Sequence, residues 1–202
     1  MSSNPKIAVI LLAAGASTRF GAVKQLLPWK GSTLLKHAID TILELNVNAN
    51  FVVLGANQKH IKLITDIEKV EVLVNDTWEL GLGNSIAYGV KQILNYNIEL
   101  DGILLMLADQ PLINVNFLKA LIDKFDGEAD QIIASSYAKG KKGVPVIFGK
   151  IYFNELSNLN GDNGAKILLG TYSQNVTTIN AEHLVLDIDT KEDYEQLYKA
   201  NH

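Results

Sequence analysis

Six apolar residues in a row, Ile7-Ala8-Val9-Ile10-Leu11-Leu12, give way abruptly to Ala13-Ala14-Gly15-Ala16-Ser17. An unbroken apolar run of that length suits a strand buried on both faces, the kind found in a parallel sheet covered by helices on each side. The small residues that follow let a ligand approach the main chain, where N–H groups can hold phosphate oxygens. Arg19 and Lys24 place two cations near the same loop. A buried strand, a small-residue loop and two cations make a cradle for a triphosphate. On local chemistry alone, a tight turn with two surface cations remains the alternative. A Walker A loop is excluded, because Gly21 is separated from Lys24 by two residues and Gln25 follows the lysine. The G-x-G-x-x-G fingerprint of dinucleotide-binding folds is absent as well.

The rest of the chain alternates strand and helix patterns. Helical periodicity marks 34–45, with Ser32 or Thr33 as cap, and 57–67. Strands are expected at 51–54 and 70–74. A glycine-rich approach, Leu80-Gly81-Leu82-Gly83-Asn84-Ser85, opens a helix to about Tyr96, with Asn84 or Ser85 as cap. Such an approach offers N–H donors and the positive end of a helix dipole, or simply a flexible turn. The apolar run 102–108 ends in Asp109-Gln110-Pro111, so a carboxylate sits at the tip of a central strand. Ligands bind beyond the carboxyl ends of strands in open α/β sheets, so Asp109 is a metal-ligand candidate; a turn-forming Asp before proline is the other reading. Asn114 caps a helix over 115–125, strands follow at 131–134 and 144–148, and a basic stretch 139–143 lies between them. A helix starts in 161–166, and 184–189 reads as the last strand. Alternation along that strand would put Asp187 and Asp189 on one face. Thr190, with Asp193 three residues on, caps the final helix.

This alternation implies βαβ units, a mostly parallel sheet and a three-layer α/β/α Rossmann-like arrangement, with 1–202 as one domain. The net charge of −4 argues against a nucleic-acid binder working through a basic face. With no cysteine in the chain, a thiolate nucleophile and thiolate metal sites are excluded. No segment is long and apolar enough to span a bilayer, and the polar start lacks a signal-peptide pattern, so a cytoplasmic protein is expected. His37, His60, His183 and His202 receive no role.

The stretch L-A-A-G-A-S-T-R-F-G-A-V-K-Q-L-L-P-W, Leu12 to Trp29, resembles the loop of the MobA-like nucleotidyltransferases, and most closely the molybdenum cofactor cytidylyltransferase branch. L-A-D-Q-P at 107–111, G-D-N-G-A-K at 161–166 and D-I-D-T-K-E-D-Y at 187–194 match later family segments in order. The resemblance implies a nucleotidyltransferase fold and transfer of CMP from CTP to the phosphate of molybdenum cofactor, with release of pyrophosphate and with Mg2+ as cofactor. It implies nucleotide contacts from Leu12, Ala13, Ala14, Gly15, Lys24, Gly83 and Ser85. It also implies catalytic roles for Arg19, Lys24 and Asp109, acceptor contacts at Pro145 and Asp162, and metal ligation by Asp109 and Asp189. Ala13-Ala14 matches the cytidylyl branch, where the guanylyl branch more often has a second glycine. The implied partners are CTP, a molybdopterin-type acceptor, and a receiving molybdenum hydroxylase or its chaperone. The chain departs from the pattern at Val144, where many cytidylyl members carry His or Asn; valine has no side-chain hydrogen bond to give an acceptor. Guanylyl or other nucleotidyl transfer to a different phosphorylated acceptor, and a non-catalytic cofactor carrier, are the competing readings. A carrier has no need of a charge-balanced metal site.

Overall fold

All seven residues of β1 (Ile7–Ala13) are buried, as the apolar run requires. This computed structural model describes residues 4–18, 20–137, 140–181 and 183–202. After β1 come a short hairpin of β2 (Pro28–Trp29) and β3 (Ser32–Thr33), then α1 (Leu34–Leu43), β4 (Ala49–Leu54), α2 (Gln58–Ile64) and β5 (Glu71–Val74). The chain continues through α3 (Leu82–Asn95), β6 (Gly102–Leu107), α4 (Val115–Lys124), β7 (Ile132–Tyr137) and β8 (Lys141–Gly149). It ends with α5 (Phe153–Leu156), α6 (Lys166–Thr171), β9 (Val176–Asn180) and α7 (Lys191–Asn201).

The main sheet has seven strands in the order β5-β4-β1-β6-β8-β7-β9. β8 pairs antiparallel with both β6 and β7, and every other pairing is parallel. β1 lies near the middle of the sheet, between β4 and β6, with helices over both of its faces. Its odd-numbered residues, such as Val9 and Leu11, pack with Leu35, Ile39 and Ile42 of α1 and Leu118 and Leu121 of α4. Its even-numbered residues, such as Ile10 and Leu12, pack with Ile86, Val90 and Ile93 of α3 and with α5 and α6. The strand period of two and the helix spacing of three to four thus build two cores and a three-layer α/β/α fold. Each fully buried Leu or Ile contributes about 2 kcal/mol. A third, smaller cluster joins Trp29, Leu34 and Ile188 to Tyr194 and Tyr198 of α7.

Three helix starts follow the sequence signals. Thr33 accepts the N–H of Lys36, Asn114 accepts the N–H of Phe117, and Thr190 forms a capping box with Asp193. The start of α3 differs: Asn84 and Ser85 lie inside its first turn, and Gly81 is the cap position. A backbone partner replaces a side-chain cap there, since the N–H of Gly83 donates to the Gly161 carbonyl at 2.7 Å.

The expected strand at 184–189 does not form. That segment is a turn followed by irregular chain, and the edge strand is β9 instead. Its apolar residues serve another purpose: Ile188 is fully buried beside Trp29 and Leu34, whereas Leu186 is 43% exposed. The alternation argument for Asp187 and Asp189 therefore loses its basis. The short strand expected at 144–148 is longer, extending back to Lys141, and Lys139 of the basic stretch lies outside the described residues.

His37, on α1, bears on stability rather than on the site. It is half-buried, with Nε2 at 3.1 Å from the Pro111 carbonyl oxygen. Loss of hydration, then the charge of Lys30, lowers its pKa below the ordinary 6.5, partly opposed by Pro111 and Asp40. The fold favours neutral imidazole, so below the ordinary value the unfolded chain binds more protons. The stability this group contributes is complete above that value and is lost as pH falls toward the depressed folded value. His37→Gln keeps a donor for Pro111 and removes the titration. In urea titrations it is expected to lose less stability than the wild type between about pH 7 and pH 5.5. Identical losses would show that His37 does not contribute.

Candidate active site

The carboxyl ends of β1 and β6 open into a cavity of about 390 Å³. Leu12, Ala13, Ala14 and Gly15 line one side of it, Leu107, Ala108 and Asp109 another, and Trp78, Gly81 and Ser85 a third. The parallel direction of β1 and β6 brings these tips to one end of the sheet, with Leu12 paired to Leu107 and the Ala108 N–H donating to the Leu12 carbonyl. A Cβ added at Gly15 would meet nothing within 4 Å, so the main chain there faces open space.

Lys24 crosses from the turn after the loop to the strand tips. Its Nζ donates to Asp109 Oδ2 at 2.6 Å and to the Ile188 carbonyl at 2.7 Å. Asp189 Oδ1 stands 4.0 Å from the same nitrogen. The Lys24 side chain is 16% exposed and that of Asp109 25%, so this is a sheltered pair rather than a surface one. The Ile188 N–H donates to the Asp109 carbonyl at 3.1 Å, fastening the segment before α7 to the tip of β6. Residues far apart in the chain thus converge on one ammonium, and Asp109 and Asp189 flank it although no strand forms at 184–189.

Asp109 Oδ1 is buried and has no hydrogen-bond partner among the described residues. An unpaired carboxylate oxygen beside a second carboxylate is a donor set suited to a hard divalent cation, which takes one or two carboxylates and keeps several waters. Among the described residues, no group of three or more His, Cys, Asp or Glu side chains forms a closed metal cage. Asp187 sits alongside, accepting from Gln110 Nε2 at 2.8 Å. The residue reaches solvent, yet packed protein strips hydration from its carboxyl and raises the pKa. The Gln110 hydrogen bond opposes that rise, and the charges of Asp109 and Asp189 add to it.

On the α3 side, Asn75 is 1% exposed and donates to Asn84 Oδ1 and Ser85 Oγ at 3.0 and 3.2 Å. Asp162 lines the cavity across from the loop. Gly81 adopts φ 99°, and a Cβ there would lie 2.5 Å from Asp162 Oδ1 and 2.6 Å from the Gly161 carbonyl.

The structure therefore brings Leu12, Ala13, Ala14, Gly15, Lys24, Ser85, Asp109, Asp162 and Asp189 to one cavity. Gly83 and Pro145 do not line it. A Cβ at Gly83 would meet the Asn160 backbone at 2.7 Å, so that glycine serves close packing. Pro145 is buried in β8, where its carbonyl accepts from Ser135 Oγ at 2.7 Å. Arg19 lies outside the described residues. Sequence reasoning passed over Trp78, Phe20 and Gln25, which also line the cavity. Phe20 packs edge-on against Tyr194 of α7, with ring centroids 6.1 Å apart. Only the position of Gln25, directly after the loop lysine, hinted at a site residue.

A small-residue loop at a strand tip, a cation reaching back to it and carboxylates beside that cation define a nucleotide-handling α/β protein. The model of the MobA-like NTP transferase domain matches residues 9–176, and the chain belongs to that family of nucleotidyltransferases. It is 31% identical to a nicotine blue oxidoreductase from Paenarthrobacter nicotinovorans, covering 96% of each chain. It is 32% identical over 129 residues to a probable molybdenum cofactor guanylyltransferase from Bacillus cereus, covering 63% of this chain and 61% of that one. Among solved structures, Rv0371c from Mycobacterium tuberculosis H37Rv superimposes with a TM-score of 0.84 at 30% identity, covering 98% of this chain and 99% of the other. The same protein has been solved in complex with manganese.

Proposed function

We propose that this chain transfers CMP from CTP to the terminal phosphate of a molybdopterin-type acceptor, in the cytoplasm, and that its whole length acts as one catalytic domain. The observation that carries the reading is the unpaired, buried Asp109 Oδ1 beside Lys24, at the mouth of an L-A-A-G loop. An acceptor phosphate oxygen forms the new bond to the α-phosphorus, and the bond to the pyrophosphate oxygen breaks. No protein nucleophile is needed, and the chain has no cysteine to offer.

Catalysis is then positioning and charge compensation. The backbone from Ala13 to Gly15 holds phosphate oxygens, and Lys24 balances negative charge as it moves onto the leaving pyrophosphate. Arg19 adds a second positive charge on the strength of its place in the motif. Ser85 meets the nucleoside, while Gly83 packs behind it; Asp162 faces the acceptor. Asp109 and Asp189 would hold Mg2+, which supplies charge neutralisation at the phosphates when bound. The manganese complex of the mycobacterial relative supports a divalent cation in this family. The Ala14 methyl, where glycine would leave more room, supports cytosine over guanine. A molybdenum hydroxylase or its chaperone would receive the product. The relative named as an oxidoreductase supports a second reading, redox turnover in the same cavity. That reading expects no pyrophosphate release with any triphosphate.

The test is thermal stability with Mg2+ and each of CTP, GTP, ATP and UTP. Ligand at about a hundred times its dissociation constant adds about 2.7 kcal/mol. A shift with CTP followed by pyrophosphate release on adding the molybdenum cofactor is the expected result. A shift with GTP alone would move the assignment to guanylyl transfer, and no shift with any of the four would count against nucleotidyl transfer.

A further inference from the structure

Gln25 is a polar side chain with only 6% of its surface exposed, enclosed against the loop at the head of the cavity. Its Nε2 donates to the carbonyls of Ala13 and Gly15, each at 2.9 Å. Its Oε1 accepts from Ser17 Oγ at 3.4 Å, and that hydroxyl oxygen in turn accepts the Lys24 N–H at 3.3 Å. Ser17 is held at φ 57°, a left-handed conformation that a serine seldom adopts without support.

In a trans peptide the carbonyl and the following N–H point to opposite sides. Turning the Ala13 and Gly15 carbonyls toward Gln25 therefore turns the N–H groups of Ala14 and Ala16 away from it. The intervening Ala14 carbonyl is also taken, by the Ala56 N–H at 3.0 Å. Three successive carbonyl dipoles that would repel an anion are thus tied down. Among the described residues, no hydrogen bond uses the N–H of Gly15, Ala16 or Ser17. Gln25 thus joins the last residue of β1, Ala13, to Gly15 and Ser17 of the loop that follows it, spanning the turn where the strand ends.

We propose that Gln25 is the positioning residue of the phosphate loop. It sets the direction of the loop amides for a chain of phosphates, and through Ser17 it fixes the point from which Lys24 starts toward Asp109. This rests on the nucleotide reading above.

Gln25→Glu keeps the shape and replaces both N–H donors with a carboxylate facing two carbonyls. The measurement is calorimetric binding of CTP with Mg2+, of inorganic tripolyphosphate with Mg2+, and of cytidine, to wild type and variant, with melting temperature recorded alongside. At about pH 8 both phosphate ligands are expected to bind at least tenfold more weakly to the variant, while cytidine affinity stays within about twofold. A buried glutamate protonates readily and then donates one hydrogen bond, so acidification to about pH 6 is expected to restore part of the loss relative to wild type. Ser17→Ala, which removes only the hydroxyl link, is the second variant if Gln25→Glu does not fold. It is expected to weaken both phosphate ligands about threefold. Unchanged phosphate binding in a folded variant, or equal losses for cytidine and triphosphate, would overturn the inference alone. A wild type that binds neither CTP nor tripolyphosphate would overturn it together with the nucleotide reading.

Discussion

Asp109→Asn is expected to reduce pyrophosphate release by about a thousandfold or more, roughly 4 kcal/mol of transition-state stabilisation. The substitution is nearly isosteric, so packing at the tip of β6 is kept. What changes is charge. The side chain no longer offers an anionic oxygen to a cation, and Lys24 loses its 2.6 Å counter-charge. The ammonium is then drawn to the remaining carboxylate, Asp189, which starts 4.0 Å away. The fold has other supports at this point. Lys24 keeps the Ile188 carbonyl at 2.7 Å, and the Ile188 N–H keeps the Asp109 carbonyl, which the substitution does not touch. The melting temperature should therefore move by only a few degrees, the shift of about 1 kcal/mol in a domain of this size. Asp123→Asn, on the exposed side of α4, is the charge control. Retention of more than about a tenth of wild-type turnover by Asp109→Asn would remove the metal assignment.

Gly81→Ala should do the reverse, damaging the fold first. At φ 99° and ψ −179° the backbone occupies a region that is essentially glycine's alone, and strain there is about 1–3 kcal/mol. The added methyl would also sit 2.6 Å from the Gly161 carbonyl group, which is backbone and cannot swing aside. Relief requires moving the 160–164 loop, which caps α3 and carries Asp162 into the cavity. The expected cost is about 3 kcal/mol in urea unfolding, together with loss of nucleotide-induced stabilisation. Gly15→Ala makes the contrast. Its methyl meets no atom within 4 Å, so the urea midpoint should be unchanged. That open space is where a phosphate would approach, so triphosphate affinity should fall about tenfold. If Gly81→Ala unfolds at the wild-type midpoint, the 81–161 contact is not what holds α3 in place.

The sequence made the nucleotide half of the site readable because its information is local. An apolar run, a small-residue loop and a carboxylate at a strand tip each announce themselves within a few residues, and the sheet then has one way to align their ends. The caps Thr33, Asn114 and Thr190 were legible for the same reason. The edge of the sheet was not. β9, Val-Thr-Thr-Ile-Asn, has no buried residue and therefore no strong pattern. The segment 184–189 carries strand-like composition because Ile188 fills a gap beside Trp29, not because it pairs with a neighbour. Gln25 was hinted at only by its place after the loop lysine, since its meaning lies in which carbonyls it reaches across 10 and 12 positions of chain. Pro145 and Gly83 matched a family pattern, yet their surroundings are those of packing.

The one strand that runs against its neighbours carries a further implication. Because β8 is antiparallel to β6 and β7, the last residue of β7, Tyr137, and the first of β8, Lys141, lie at the same end of the sheet as the Ala13–Gly15 loop and Asp109. A hairpin link can lengthen, shorten or change charge without shifting the register of either strand, whereas a parallel crossover must return over a whole helix. The ends of β7 and β8 are therefore free to diverge independently of the tips of β1 and β6. Gene duplication could leave the tips of β1 and β6 untouched while the ends of β7 and β8 are rewritten. One ancestral scaffold could in that way give rise to descendants with different chemistries, with no change to the two cores.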